Sequence, residues 1–127
     1  RPCKMRILSN YVLRQSNPAI VGMEIMAGSI KVGCAVMKDG KDISHVKSIQ
    51  HEKESLSSVE SGKQVAISLP NLTVGRQIHE NDILYSGIPE PDFRKLKEFR
   101  NLLKKEEIDI MKEIAEAKRK QNPLWGM

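Results

Sequence analysis

The chain has 127 residues, 39% hydrophobic and 29% charged, which fits one soluble globular domain that can bury a core without disulfide staples. Its net charge is +5 and its pI about 9.3, a balance that favours an anionic partner without naming one. An aromatic content of 4% argues against a large stacking platform for single-stranded nucleic acid, and no apolar run reaches the roughly 18–20 residues of a membrane span.

The first half reads as β. Val21, Met23 and Ile25 alternate with Gly22, Glu24 and Met26, a period close to two. Ala27-Gly28-Ser29 reads as a turn, after which Ile30 and Val32 resume the alternation until Gly33 interrupts it. Cys34 to Met37 is the next short strand, closed by the hairpin turn Lys38-Asp39-Gly40-Lys41. A strand follows from Ile43 to Ile49. The polar, Ser-rich stretch from Gln50 to Gly62 reads as a loop, Gln64 to Leu69 as a strand ended by Pro70-Asn71, and Ile83 to Tyr85 as a closing strand. Strands this short and closely spaced leave no room for βαβ crossovers and predict a small barrel, whose closure removes exposed edges.

The second half changes period. Pro89-Glu90-Pro91-Asp92 is a break, with Asp92 suited to an N-cap. Phe93, Leu96, Phe99, Leu102 and Leu103 follow at helical spacing, and Ile108, Met111, Ile114 and Ala115 form a second stripe ended by Asn122-Pro123. Two amphipathic helices are predicted, about 92–104 and 106–120, covering the barrel. The organisation expected is a barrel over 1–89 and a helical pair over 90–127, one structural unit. The start at Arg1 rather than Met suggests a piece of a longer protein. The charge is spread thinly: residues 1–89 carry 11 basic and 8 acidic residues, and residues 90–127 carry 10 and 8.

Catalytic machinery is thin. No GxxxxGK[ST] loop, GxGxxG or GxSxG motif occurs. A Cys34–His45 nucleophile pair is conceivable, but a small cysteine at a strand start suits packing. The spacing of His45, His51 and His79 does not suit a metal site. With no signal-peptide pattern, and with Cys3 and Cys34 forming neither a disulfide framework nor a CxxC pair, a reducing, cytoplasmic location is expected. Arg14-Gln15-Ser16-Asn17-Pro18 puts a guanidinium and short polar side chains in one turn, which suits a phosphate or ribose and equally suits plain Asn-Pro turn geometry. Val74-Gly75-Arg76-Gln77 offers a second exposed arginine. Lys118-Arg119-Lys120 complements a helix C-terminus, and Trp125 just beyond can fold back on its own domain or wall a groove.

The spacing of Gly22, Gly28, Ile30, Gly33 and Val36, with Gly62-Lys63-Gln64-Val65-Ala66-Ile67 and Asp82-Ile83-Leu84, resembles the β-barrel that follows the GTPase domain of translation factors. Asn81 stands there where Gly is usual. Three longer stretches narrow the resemblance: Arg14 to Gly22, Val74 to Ile78, and Glu113 to Glu116 with Lys118-Arg119-Lys120 and Asn122-Pro123-Leu124-Trp125-Gly126. Together they resemble the C-terminal domain (domain IV) of archaeal translation initiation factor 5B, the counterpart of bacterial initiation factor two, over essentially the whole chain.

That resemblance implies a mainly β fold: a closed antiparallel barrel of the Tu domain-two type followed by two C-terminal helices. It implies that GTP and Mg belong to an upstream domain, that this chain catalyses nothing alone, and that it is a cytoplasmic monomer working on the ribosome in subunit joining. It implies contact with the acceptor end of initiator methionyl-tRNA, for which Arg14, Gln15, Asn17, His51, Lys53, Gln64 and Arg76 are the candidates. It implies docking of the C-terminal tail of initiation factor 1A, for which Arg94, Lys97, Arg100, Leu103, Ile114, Lys118 and Trp125 are the candidates. The alternative is a protein-interaction domain that docks factor 1A without gripping tRNA strongly. The bacterial relative holds formyl-methionine on this barrel; here Met23 and Gln64 align with its cysteine and glutamate, and His51 falls near its basic loop, so no formyl-specific pocket is expected.

Overall fold

A computed structural model describes residues 2–127. Nine strands come first: β1 Cys3–Arg14, β2 Ala19–Lys31, β3 Ala35–Lys38, β4 Lys41–His45, β5 Ser48–His51, β6 Glu54–Leu56, β7 Ser58–Glu60, β8 Gln64–Leu69 and β9 Ile83–Gly87. Helix α1 Glu90–Glu98, a 3-10 turn Arg100–Leu102 and helix α2 Lys105–Arg119 follow. The strands pair antiparallel in the order β4-β3-β9-β1-β2-β8-β5-β6, with β7 on the far end of β2.

Both ends of that order lie in one bent run of chain, which is how the sheet curls onto itself. The run expected as a single strand over Ile43–Ile49 bends at Val46-Lys47. Before the bend β4 pairs with β3, and after it β5 pairs with β8. Val46 donates its N–H to the Cys34 carbonyl at 2.9 Å, and Lys47 donates to Ser68 at 2.9 Å, so the ladder hands over without a gap.

Several boundaries differ from the sequence reading. The whole of β1 is additional. Ala27-Gly28-Ser29 is not a turn: β2 continues through it, and Gly28 takes φ +78° where the strand leaves β8 and meets β7. A Cβ at Gly28 would sit 1.9 Å from the Pro2 carbonyl oxygen, so the neighbouring chain occupies the side-chain position. The stretch 50–62 is not a loop: it holds the end of β5, a β5–β6 hairpin and β7. These strands anchor themselves by Ile49, Leu56 and Val59 alone, too few apolar positions to set a visible period.

The first helix ends at Glu98, not 104. Phe99 breaks the helix with ψ near +25° and the 3-10 turn follows, leaving Leu102 exposed. Its N-cap position is Pro89, and Asp92 lies in the first turn, where a carboxylate still favours the dipole. Glu107 accepts the Lys104 N–H at 3.2 Å and so closes the start of α2.

Alternation places Met5, Ile7, Val21, Met23, Ile25, Ile49, Ile67 and Leu84 inside the barrel, all fully buried. Each contributes roughly 1.5–3 kcal/mol of burial. A second core joins the helices to the outside of the barrel. Phe93, Ile110, Met111, Ile114, Ala115 and Trp125 pack against Met37 and Ile88, with Ala27 and Tyr85 at the edge. A polar latch crosses the same seam: Glu113 accepts from Lys4 Nζ and from the Tyr85 hydroxyl, each at 2.8 Å. Burial pushes the Tyr85 hydroxyl up, and its bond to Glu113 adds to that. Burial acts in the same sense on Glu113, but the bonds from Lys4 and Tyr85 outweigh it and hold the carboxyl below its ordinary range.

Candidate functional site

The helical layer builds a groove on its own. Phe93 and Lys97 on α1 stand four residues apart, with Arg100 in the 3-10 turn that follows; on α2, Ile108, Met111, Lys112, Ala115 and Arg119 are spaced by three or four residues along one face. These two rows enclose a groove of about 300 Å³. Phe93, Ile108, Met111 and Ala115 make an apolar floor, and Lys97, Arg100, Lys112 and Arg119 make the rim. No carboxylate lines it among the described residues. An apolar floor under a one-signed rim suits a peptide with aliphatic anchors and acidic flanks: burial supplies the affinity and charge the steering.

The groove walls are held by the chain end, which folds back. The Trp125 ring packs on Phe93 with centroids 4.6 Å apart and tilted by 53°. Arg119 Nε donates to the Trp125 carbonyl at 2.8 Å, Gly126 N donates to Glu90 at 3.1 Å, and Arg94 bridges Glu90 and the Met127 carbonyl. Gly126 has φ +74° and lies so close to Phe93 that a Cβ would be 2.8 Å from the ring.

Against the sequence candidates, Lys97 and Arg100 lie on the rim. Arg94 is exposed but engaged in the chain-end clamp, and Lys118 stands 5.9 Å over the Trp125 ring. Ile114 is fully buried in the second core and Trp125 packs there on Phe93, and neither lines the groove; Leu103 packs against that core. The sequence reading takes Ile108 and Met111 as packing and Arg119 as a complement to the helix end and omits Lys112, although the rows 108-112 and 111-115-119 place all four on one helix face. A wider cleft of about 760 Å³ opens on the other side of α1, between Leu96 and Phe99 and the barrel segments Lys31–Ala35 and Gly87–Pro89. Its rim mixes Lys31 and Lys95 with Asp92 and lacks the one-sided charge of the groove.

On the barrel the structure divides the RNA candidates into two clusters. The turn carrying Arg14, Gln15 and Asn17 and the loop carrying Arg76 are joined: Val74 N donates to the Gln15 carbonyl at 2.9 Å, and Gln15 Nε2 donates back to the Val74 carbonyl at 3.2 Å. Arg14 Nε donates to its own turn at the Ser16 carbonyl, and Arg14 and Arg76 are both exposed. His51, Lys53 and Gln64 gather elsewhere, with His51 Nδ1 3.2 Å from the Gln64 carbonyl. The first cluster adjoins Leu69 through its partner Ala19, and the second contains Gln64, at the other end of β8. Five steps of about 3.3 Å put them roughly 17 Å apart. Met23, aligned with a pocket position, points into the core.

The nucleophile reading loses its chemistry. Burial pushes the Cys34 thiol up, and Cys3, with the same cause, stands at about 12, so neither supplies thiolate near neutral pH. Among the described residues no three of His, Cys, Asp or Glu come together as a metal site, and no helix is long and apolar enough to cross a membrane.

Residues 1–85 match the family model described as elongation factor Tu domain 4. A probable translation initiation factor IF-2 of Methanopyrus kandleri is 43% identical over 129 residues, which cover 100% of this chain and 22% of that protein. Its counterpart in Ignicoccus hospitalis is 43% identical over 130 residues, covering 100% and 21%. The crystal structure of GDP-bound aIF5B from Aeropyrum pernix superposes with a TM-score of 0.89 at 40% identity, over 94% of this chain and 21% of that one. The chain thus spans about a fifth of the length of the relatives it matches.

Proposed function

The chain belongs to the elongation factor Tu domain 4 family, and within it resembles domain IV of archaeal initiation factor 5B; from that premise we propose that it is the binding module of a translation initiation GTPase acting in ribosomal subunit joining. The helical groove receives the C-terminal tail of initiation factor 1A, and the barrel loops meet the acceptor end of initiator methionyl-tRNA. GTP and its Mg belong to another part of the longer protein, and this chain works by binding, as a monomer.

The observation that supports the reading best is the groove. Four cations over an apolar floor select an acidic tail with aliphatic anchors and disfavour a basic or purely polar one. Lys97 of α1 and Arg100 of the 3-10 turn line the groove together with Lys112 and Arg119 of α2, so a tail lying in it meets positive charge from both segments. The test is an amide-shift titration of the chain with a synthetic C-terminal peptide of factor 1A. The expected shifts fall on the facing rows of α1 and α2 and weaken steeply as salt is raised. Absence of any shift at millimolar peptide refutes the docking role and leaves the helices as a buttress of the barrel.

A further inference from the structure

The region between the two barrel clusters is not a plain sheet surface. Ile7 pairs with Met23 and Val12 with Val21, so the four residues Leu8 to Tyr11 of β1 stand opposite Gly22 alone. A bulge of this size re-aims side chains. It is pinned at its crest, where Asn10 takes φ +63° and donates its N–H to Glu80 at 3.3 Å, and where Ser9 Oγ donates to Asn81 at 3.0 Å. The bulge brings Tyr11 down onto β2: a Cβ on Gly22 would meet the Tyr11 Cβ at 2.7 Å and its Cγ at 3.3 Å. The missing side chain at Gly22 is therefore the seat of the tyrosine. Although its root is seated, Tyr11 is 60% exposed and Leu13 beside it 65% exposed.

The position of that ring matters. Gly22 pairs with Ala66, so beside Tyr11 the outer face is low across β2 and β8, with the exposed Gln50 of β5 beyond. Ala66 lies midway along β8, between the Arg14–Arg76 cluster at one end and the His51–Lys53–Gln64 cluster at the other. A negatively charged strand running from one cluster to the other passes beside the ring.

We infer that Tyr11 is a stacking seat for an unpaired base, and that the outer face of β1, β2 and β8 carries single-stranded RNA between the two clusters. The inference rests on the acceptor-end reading above and deepens it, by naming the face and the residue that grips the unpaired nucleotides. An exposed aromatic ring rooted on the sheet between two cationic clusters is what sequence-tolerant binding of single strands requires. One seated tyrosine serves here in place of an aromatic platform, which agrees with the low aromatic content.

The experiment compares two RNA hairpins built on a tRNA acceptor stem, one with its unpaired 3′ nucleotides and one blunt, each titrated into the chain and into Tyr11→Ala, Tyr11→Phe and Arg76→Ala. Tyr11 and Arg76 are both exposed, so all three variants should fold. Tyr11→Ala should weaken the 3′-ended hairpin about tenfold or more and leave the blunt one unchanged. Tyr11→Phe should bind within about twofold of the parent, because stacking needs the ring and not the hydroxyl. In the parent chain, the Tyr11 ring protons should move upfield with the 3′-ended hairpin only. Arg76→Ala should weaken both hairpins and lower the salt dependence. If Tyr11→Ala changes nothing while Arg76→Ala still weakens binding, the stacking seat is wrong and the acceptor-end reading stands. If the parent binds neither hairpin, the acceptor-end reading falls and the stacking seat with it.

Discussion

The barrel and the helical layer are stabilised in different ways. In the barrel, aliphatic side chains from every long strand meet in one fully buried interior, and the bent β4–β5 run makes the sheet meet itself. The helical layer has a smaller core, open on one side to the groove, and depends on particular ties: the Glu113 latch to the barrel, the Phe93–Trp125 contact and the folded-back chain end. A closed interior tolerates surface change and supports loops; a layer held by a few ties keeps an apolar groove open. The two binding roles proposed here divide along that line, with RNA on the barrel and peptide between the helices.

The largest effect is expected in the barrel interior. Ile67→Ala should cost about 2–5 kcal/mol and lower the stability of strands and helices together, read as one denaturation transition by circular dichroism. If the helices melt separately, the two layers are less coupled than the shared seam implies. Next comes Gly126→Ala, which puts a Cβ against the Phe93 ring at positive φ. It should cost about 1–3 kcal/mol, with amide shifts confined to the helical layer and the chain end and the barrel spectrum unchanged. A smaller effect is expected on the groove rim. Lys97→Ala with Arg100→Ala should leave stability within about 0.5 kcal/mol but weaken the acidic peptide roughly 2- to 30-fold, less so at high salt.

The smallest effect sharpens the seam. Glu113 is held below its ordinary range in the folded state. A lowered folded pKa means that its contribution is present above the unfolded value of about 4.3 and is lost as pH falls through the folded value. Asp82, held low by Lys38 and by the His79 N–H against the opposing effect of burial, acts in the same direction. Stability should therefore fall on acidification below about pH 4. Glu113→Gln should cost under about 1 kcal/mol at neutral pH, since the pair is partly exposed, and should flatten that acid limb in denaturation series across pH.

What could be read in the sequence follows the same division. The alternation at Val21–Ile25 and Gln64–Leu69 is legible because one face of each strand is wholly buried. The Asp39-Gly40 hairpin is legible because both residues take positive φ, which that pair favours. β1 escapes notice because its bulge at Leu8 to Tyr11 interrupts the period, and β6 and β7 because each buries a single side chain or less. The helix pair is legible as two apolar stripes, but a stripe does not say which of its residues meet the barrel and which line a groove. Hence Ile114 and Trp125 serve the second core alone, while Met111, in that same core, also lines the groove with Ile108. The rim was half legible, because Lys112 and Arg119 lie on the same helix face as residues read only as packing. The separation of the RNA candidates into two clusters depends on the β8 pairing, which no local pattern encodes.

Two independent binding surfaces on one chain should fill one after the other without competing, which a two-ligand amide-shift titration reads. The factor 1A tail peptide is added to saturation first, and then the 3′-ended acceptor-stem hairpin. Shifts from the peptide confined to the groove rows of α1 and α2, followed by separate shifts around Tyr11, Gly22, Arg76 and Gln64 with the peptide still bound, are the predicted result. Peptide shifts centred on the outer face of β1, β2 and β8, or release of the peptide as the RNA binds, would contradict it.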